Sequence, residues 1–526
     1  MPVRNRPHLV LPEMKPLSEH CREGGDRVAL LDMRTGATTS YAELANLLLR
    51  GGAFLRSCGV ARGDRVVQRL PNSPEALCMF LTCLESGIDC APLSLRATAE
   101  EADDWMRLTE AKLAIISRTQ FDAATDALSA SGRCMRIDTS GDFSWLPDIA
   151  EATEAEQPGR LLIRAGGRGD ETKIVILPSN TLRDCARAFA AAYPAFQPGA
   201  NCLNVAPPST LYGLFNLGLL PIEMGASITI GGEFSTQVPS KFWHDVARFE
   251  TDLIWLAPTM VRVLLDAYSR AQPAARRAMV EDALGVKAAF VGMAPCSAAE
   301  KDEFTRIFGV PVHENYGLTE TLFVSASSPS RADNIGTGIP LQGVEVQLRE
   351  TAAVPLIPSS RSGPEAATEI LVKSPYLFAG YLRPGGKVDP PEFDAAGFFH
   401  TGDLGRFESN GTLVVDGRLK AMIKRAGHPV FLSEVESLMH LAAAVGRAAA
   451  VPVPHAFFGE GYILMVEPAD PTIDDRRLLE EVRQVLTKQL GREKWPEQIR
   501  VVRDMPLTER GMPDYSKLKT AASPAP

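Results

Sequence analysis

The segment Gly59–Leu93, GVARGDRVVQRLPNSPEALCMFLTCLESGIDCAPL, constrains the fold more than any other stretch of the chain. RVVQRL reads as a strand, Pro74 stands near a helix start, an apolar helix runs to Gly87, and DCAPL reads as a second strand. That succession implies parallel pairing, because parallel strands need a crossover between them. The same alternation returns at AKLAIIS, at CLNVAP with the helix after it, and at ASITIGG. It returns again at DLIWLAP with TMVRVLLDAY, and at VKAAFVG with SAAEKDEFTRIF. An α/β architecture with a parallel sheet is therefore expected up to about residue 335. Residues 28–46 precede it as a short hairpin and a helix, with Ser40 at the N-cap and Glu43 three residues on.

Beyond that point the pattern changes. GVEVQLRE, TEILVKSP, GFFHTGDLGRFE and GTLVVDGR are short strands punctuated by Gly, Asp and Pro, which suggests an antiparallel β-subdomain. From Lys420 a compact α+β unit follows: helix SEVESLMHLAA, strands AAAVPV and GYILMVEP, helix DDRRLLEEVRQVLTKQLG and strand IRVVRDM. The tail TAASPAP is expected to be disordered. With 526 residues the chain exceeds what one core organises, so at least two domains are expected.

A formal net charge of −9 argues against a general nucleic-acid or anionic-membrane binder, while leaving room for local phosphate sites. Nine cysteines, scattered from Cys21 to Cys296 without metal-ligand spacing, fit reduced thiols. No stretch approaches the roughly 20 apolar residues of a membrane helix, and MPVRNRPHLVLPEMKP lacks the core of a signal peptide. A cytoplasmic location is the expectation.

Two strings carry candidate chemistry. HENYGLTET, residues 313–321, sets Tyr316, Gly317, Thr319 and Glu320 within five positions. An aromatic can stack on a flat base, a glycine admits close backbone approach, a hydroxyl donates to phosphate, and a carboxylate holds Mg²⁺. The simpler reading is an Asn/Gly turn leading into a helix capped by Thr319. In FHTGDLGRFESNGTLVVDGRLKAMIKRAG, residues 399–427, Asp403 lies in a Gly-flanked turn and Arg418 follows a strand. An aspartate so placed suits ribose hydroxyls and an arginine suits ribose or phosphate; alternatively they are a turn aspartate and a surface arginine.

Taken in order, these strings resemble the adenylate-forming superfamily of acyl-CoA synthetases, peptide-synthetase adenylation domains and luciferases. SYAEL, GVARGDRVV and LPNSPEAL resemble its N-terminal core, and VGMAPCS its adenine loop. NYGLTE, GTGIPLQGVEV, TGDLG, GRLK and GHPVFLSEVE resemble its later motifs. The resemblance implies a large AMP-binding domain over residues 1–416, a hinge at 417–420 and a small mobile domain over 421–526. It implies that Tyr316 stacks on adenine beside Gly292, Met293 and Ala294. Thr319 would bind the α-phosphate or the acyl carboxylate, and Glu320 would bind Mg²⁺. Asp403 would hold the ribose and Arg418 would contact ribose and phosphate. Lys420 matches the hinge and Lys424 a lysine used in thioester formation. ATP, AMP, Mg²⁺ and coenzyme A, or the phosphopantetheine of a carrier protein, are the implied cofactors.

Three positions depart from the family pattern. The phosphate loop, RAGGRGDETKIV, keeps Gly166 and Gly169 but carries Ala165, Gly167 and Arg168 where hydroxyl residues are usual. Thr172 takes the lysine position, unless one inserted residue lets Lys173 recover it. Thr210 replaces a family histidine, and Met512 in MPLTERGMPDYSKL replaces the C-terminal lysine. Lys517 and Lys519 lie nearby and read as surface lysines. Methionine cannot stabilise developing anionic charge, so weakened adenylation is expected.

Three readings stay open. The first is a ligase turning an aryl or aliphatic carboxylate into a thioester through an acyl-adenylate. The second is an ATP-independent acyltransferase between coenzyme A and a carrier-protein thiol, and the third a non-catalytic nucleotide- or acyl-binding protein. The implied partners are a small carboxylic acid or acyl thioester and a free-standing acyl carrier protein acting in trans. Tyr212, Phe215 and Phe323 are candidates for the acyl pocket, or are core residues.

Overall fold

A computed structural model describes residues 14–522 apart from 131–132, 148–157, 166–172, 235–238, 294–295, 328–335, 351–356, 359–363, 366–367, 420–421, 426–427, 456–458, 491 and 509–511. The chain divides into two compact units. The first comprises the described residues of Met1–Ala165, Lys173–Glu345 and Lys373–Glu392, and the second those of Val346–Val372 and Phe393–Pro526.

The first unit is α/β, as the alternating pattern requires. One eight-stranded sheet runs in the order Val388–Asp389, Gly380–Leu382, Ile174–Pro178, Arg160–Arg164, Asp89–Pro92, Arg65–Arg69, Leu113–Ser117 and Cys134–Ile137. The strands of the Gly59–Leu93 segment pair in parallel, Val66 opposite Cys90 and Val67 opposite Ala91. The helix between them, Pro74–Glu85, is buried along its length and starts from Ser73, whose hydroxyl accepts the Ala76 N–H. A nine-stranded sheet is parallel through its centre: Val312–Leu318, Ala288–Val291, Leu253–Leu256, Asn201–Asn204, Ser227–Ile230 and Val28–Asp32. Ser40 and Glu43 form the anticipated capping box on helix Tyr41–Ser57. Helices fill both sheets' apolar faces, so strands such as Leu113–Ser117 are fully buried and read as continuous apolar runs.

In the second unit, Glu345–Glu350, Thr368–Lys373, Phe399–Phe407 and Leu413–Arg418 form the expected antiparallel sheet. Further on, Val445–His455 pairs with Gly459–Pro468, Gln498–Val501 joins in parallel, and the helices Leu432–Leu438 and Asp475–Gln489 cover one face. The start of the tail differs from expectation, while residues 523–526 lie outside the described residues. Tyr515–Ala522 is a helix whose Leu518 and Ala522 pack against Val451, Met465 and Met505, so Thr520, Ala521 and Ala522 are ordered by apolar burial. All nine cysteines are free thiols, and among the described residues no helix is long and apolar enough to cross a membrane.

Candidate functional site

HENYGLTET forms a hairpin rather than a helix start. Strand Val312–Leu318 turns back through Thr319 and Glu320 into Leu322–Ala326, with Gly317 opposite Phe323 and Leu318 opposite Leu322. The β-branched and aromatic run after Glu320 favours a strand. The turn is tied by Thr321, whose Oγ1 accepts the Leu318 N–H at 3.0 Å. A Cβ on Gly317 would come within 1.8 Å of the Leu322 carbonyl, so only glycine fits there. Tyr316 and Thr319 are nearly buried. The next-door Asn315, not singled out in the sequence, donates from Nδ2 to the Val291 carbonyl at 3.0 Å, which fixes the strand entering Gly292 and Met293 against the hairpin. Met293 is exposed with a left-handed φ of 72°. Ala294 lies outside the described residues.

Two buried groups set the electrostatics beneath this hairpin. Lys301 Nζ pairs with Glu314 Oε2 at 2.5 Å, and burial still pushes the Glu314 carboxyl up against that partner. His313 lies against the rings of Tyr193 and Phe290, and desolvation lowers it from 6.5 to about 4. It is held neutral.

Glu320 is fastened from the segment that follows it by some sixty residues, another feature not anticipated. Its carbonyl accepts the Phe378 N–H at 2.9 Å, and its Oε1 accepts the Tyr381 hydroxyl at 3.0 Å. Among the described residues Oε2 has no hydrogen-bond partner. Burial first, then the Glu320 charge, push the Tyr381 phenol upward. Across the ring of Tyr381, 4.7 Å from its centroid, lies Lys173 Nζ. Lys173 stands at the mouth of a hairpin in which Arg160–Arg164 pairs antiparallel with Ile174–Pro178 and the Ala165 N–H donates to the Lys173 carbonyl at 2.8 Å. Gly166, Gly167, Arg168, Gly169 and Thr172 lie outside the described residues.

The acyl-pocket candidates come together in an aromatic cluster. Phe323 stacks on Phe189 at 4.1 Å and on Trp255 at 5.5 Å, Phe215 lies 5.4 Å from Phe323, and the Tyr212 hydroxyl donates to the Trp255 carbonyl. Tyr212 and Phe215 belong to a π-helical turn, Tyr212–Leu219, a geometry that often marks functional sites. Thr210 caps that turn: its hydroxyl accepts the Gly213 N–H at 3.1 Å and donates to the Pro207 carbonyl at 2.8 Å.

In the second unit, Asp403 and Arg418 face each other across neighbouring strands, and Arg418 Nε donates to Asp403 Oδ1 at 2.6 Å. Asp403 is buried and Arg418 exposed, so the pair presents one anchored carboxylate and one outward guanidinium. The turn is braced by Glu369, a residue the sequence did not flag. Its Oε1 accepts the Gly402 N–H at 3.1 Å and its Oε2 meets His400 Nδ1 at 3.0 Å. Lys424 lies on strand Met422–Arg425 opposite Pro429, and Lys420 is outside the described residues. The Met512 carbonyl accepts the Thr508 N–H at 2.7 Å, closing a loop about the Leu507–Pro513 bridge. Lys517 is exposed, 3.7 Å from Asp514, as read from sequence.

Magnesium commonly takes one or two carboxylates and completes its shell with phosphate oxygens and water. A single anchored carboxylate, at Glu320, whose Oε2 has no hydrogen-bond partner among the described residues, fits that role. Among the described residues no cluster of three His, Cys, Asp or Glu would hold a metal without a nucleotide.

The profile of the AMP-binding enzyme family matches residues 17–382, and that of the AMP-binding enzyme C-terminal domain matches residues 434–511. The chain is similar to the oxalate–CoA ligase of Arabidopsis thaliana, with 24% identity over 90% of this chain and 91% of the relative. It is similar to the anthranilate–CoA ligase of Pseudomonas aeruginosa, with 26% identity over 95% and 92%. The fold matches ATP-bound MatB from Rhodopseudomonas palustris with a TM-score of 0.79 and 24% identity, over 96% of this chain and 98% of that one.

Proposed function

Since the chain belongs to the AMP-binding enzyme family of adenylate-forming proteins, we propose that it activates a small carboxylic acid as a thioester by way of an acyl-adenylate. The observation that supports this reading is the hairpin bearing Tyr316, Thr319 and Glu320, residue types suited to a nucleotide, with Glu320 held at both its backbone and its side chain. The relatives named above are CoA ligases, which supports coenzyme A as the thiol; a carrier-protein phosphopantetheine offers the same sulfur.

In the first half-reaction a carboxylate oxygen attacks the α-phosphorus of ATP, the bond to the β-phosphate bridging oxygen breaks, and pyrophosphate leaves. Tyr316 stacks on adenine, with Gly292, Met293 and Ala294 along its edge, and Thr319 donates to the α-phosphate or the acid. Glu320 would hold Mg²⁺, which would supply charge neutralisation at the phosphates. Lys173, with Gly166 and Gly169, serves the polyphosphate. Asp403 accepts the ribose hydroxyls, and Arg418 donates to ribose and phosphate. In the second half-reaction a thiolate attacks the acyl carbon and AMP departs. Lys420 is the pivot between residues 1–416 and 421–526, and Lys424 acts in this step. The aromatic cluster of Tyr212, Phe215 and Phe323 borders the acyl group, which favours an aryl or short aliphatic acid over one that must be recognised by charge.

Pyrophosphate exchange into ATP across a panel of such acids tests the reading, and acid-dependent exchange is the expected result. Met512 favours one second reading, an acyltransferase that moves an acyl group between coenzyme A and a carrier thiol without ATP. Absence of exchange with every acid, together with transfer from a supplied thioester, replaces the first reading with the second.

A further inference from the structure

Met512 brings no charge to the C-terminal loop, so the positive charge that adenylation requires at the phosphates must come from elsewhere. A cation is already fixed in the first unit. Lys173 Nζ rests 4.7 Å from the centre of the Tyr381 ring, and the hydroxyl of that same ring donates to Glu320 Oε1 at 3.0 Å. One side chain thus touches both the carboxylate that suits the metal and the ammonium that suits the phosphates.

The backbone leaves this arrangement little freedom. Gly380–Leu382 pairs antiparallel with Ile174–Pro178, which sets Tyr381 opposite Val175, two residues from Lys173. On the other side the Phe378 N–H binds the Glu320 carbonyl at 2.9 Å. Gly380 has φ 145°, and a Cβ there would come within 2.4 Å of the Asp389 carbonyl, so the residue before Tyr381 must be glycine for the strand to seat. The Phe378 ring lies 4.7 Å from that of Tyr381 and limits its rotation. A carboxylate on a turn and an ammonium at a hairpin mouth each have several rotamers of their own; Tyr381 selects one for each, which lowers the entropy lost when nucleotide binds.

We propose that Tyr381 is a positioning residue for adenylation, its hydroxyl fixing Glu320 for the metal and its ring seating Lys173 for the phosphates. The inference rests on the ligase reading and names the device that sets its charged groups.

Three variants separate the parts. Tyr381→Phe keeps the ring and removes the hydroxyl, Tyr381→Leu removes both, and Lys173→Met removes the cation. Calorimetry on the full chain measures affinity for MgATP, for ATP with metal chelated, and for AMP. Tyr381→Phe is expected to weaken MgATP about tenfold, the usual scale for a hydrogen bond to a charged group, and to leave metal-free ATP unchanged. Lys173→Met is expected to weaken ATP about tenfold with or without metal, and Tyr381→Leu, which loses hydroxyl and ring together, about tenfold without metal and about a hundredfold with it. AMP affinity should stay within about twofold in all three, which also shows that the fold is kept. Unchanged MgATP affinity in Tyr381→Phe overturns the proposal, and so does a parallel fall in AMP affinity, the mark of a purely structural tyrosine. If the wild-type chain exchanges pyrophosphate while Tyr381→Phe binds MgATP equally well, this inference alone falls. If the wild-type chain binds AMP but no MgATP, the ligase reading falls and takes the inference with it.

Discussion

His313 offers a quantitative test of how dry the ground beneath the Val312–Ala326 hairpin is. It is three residues from Tyr316, packed against Tyr193 and Phe290, and its folded pKa is lowered from 6.5 to about 4 by burial. Between those values the unfolded chain binds a proton that the folded chain refuses, so stability is complete above about pH 6.5 and declines as the pH falls towards 4. The whole interval is worth about 3 kcal/mol at about 1.4 kcal/mol per pH unit, and at pH 5 about 2 kcal/mol is gone. His313→Phe keeps an aromatic ring and removes the titration. Hydrogen exchange read by mass spectrometry on the peptide spanning Val312–Leu318 gives the local opening free energy for both proteins at pH 7.5 and pH 5. Comparing them at each pH cancels the intrinsic exchange rate. The wild-type chain is expected to lose about 2 kcal/mol more than His313→Phe on acidification, and its AMP affinity to fall further as well. Equal losses in the two proteins would mean that the imidazole is hydrated, and the argument from burial would be refuted.

Met512→Lys is expected to raise pyrophosphate exchange by about 10²–10³ by restoring a cation where charge develops, and to leave transfer from a supplied thioester unchanged. If it gains nothing, alone or with a Ser/Thr-rich loop in place of residues 166–172, and wild type moves acyl groups without ATP, the acyltransferase reading stands. Asp403→Ala should weaken AMP binding by about 1–3 kcal/mol in calorimetry, because a buried acceptor is lost and with it the bond from Arg418 Nε; an unchanged affinity would remove Asp403 from the ribose site. Phe323→Ala should cost about 3–5 kcal/mol in urea unfolding, given its stacking on Phe189 and Trp255, and should shift acid preference towards bulkier substrates. A loss below about 1 kcal/mol would show that the cluster collapses around the gap.

Much of the architecture was legible because it is local. The parallel strands betray themselves as short apolar runs between helices, and the Ser40–Glu43 capping box is written in four consecutive residues. Tyr316, Glu320, Asp403 and Arg418 stand out in the sequence because each lies in a compact motif, and Asp403 and Arg418 do pair. The hairpin after Glu320 was readable as a helix start because Thr319 is a plausible cap; the β-branched run that follows decides for a strand. Tyr381 was not legible at all. GYLRP carries no chemical signature, and its link to Glu320 exists only once Gly380–Leu382 pairs with a strand two hundred residues earlier in the chain. The π-helical turn at Tyr212–Leu219 was equally silent, since its backbone spacing follows from packing and leaves no period in the side chains.

The bond between the Ala165 N–H and the Lys173 carbonyl has a practical consequence. It pins Ala165 to Lys173 at 2.8 Å, with an antiparallel ladder behind them running from Arg164 opposite Ile174 to Arg160 opposite Pro178. Because that ladder is closed at Ala165 and Lys173, a segment of another sequence and similar length spliced between them is expected to leave the register of the sheet undisturbed. Chimeras made at Ala165 and Lys173 would let loops from unrelated adenylate-forming proteins be screened on one scaffold, with the Val312–Ala326 hairpin held constant.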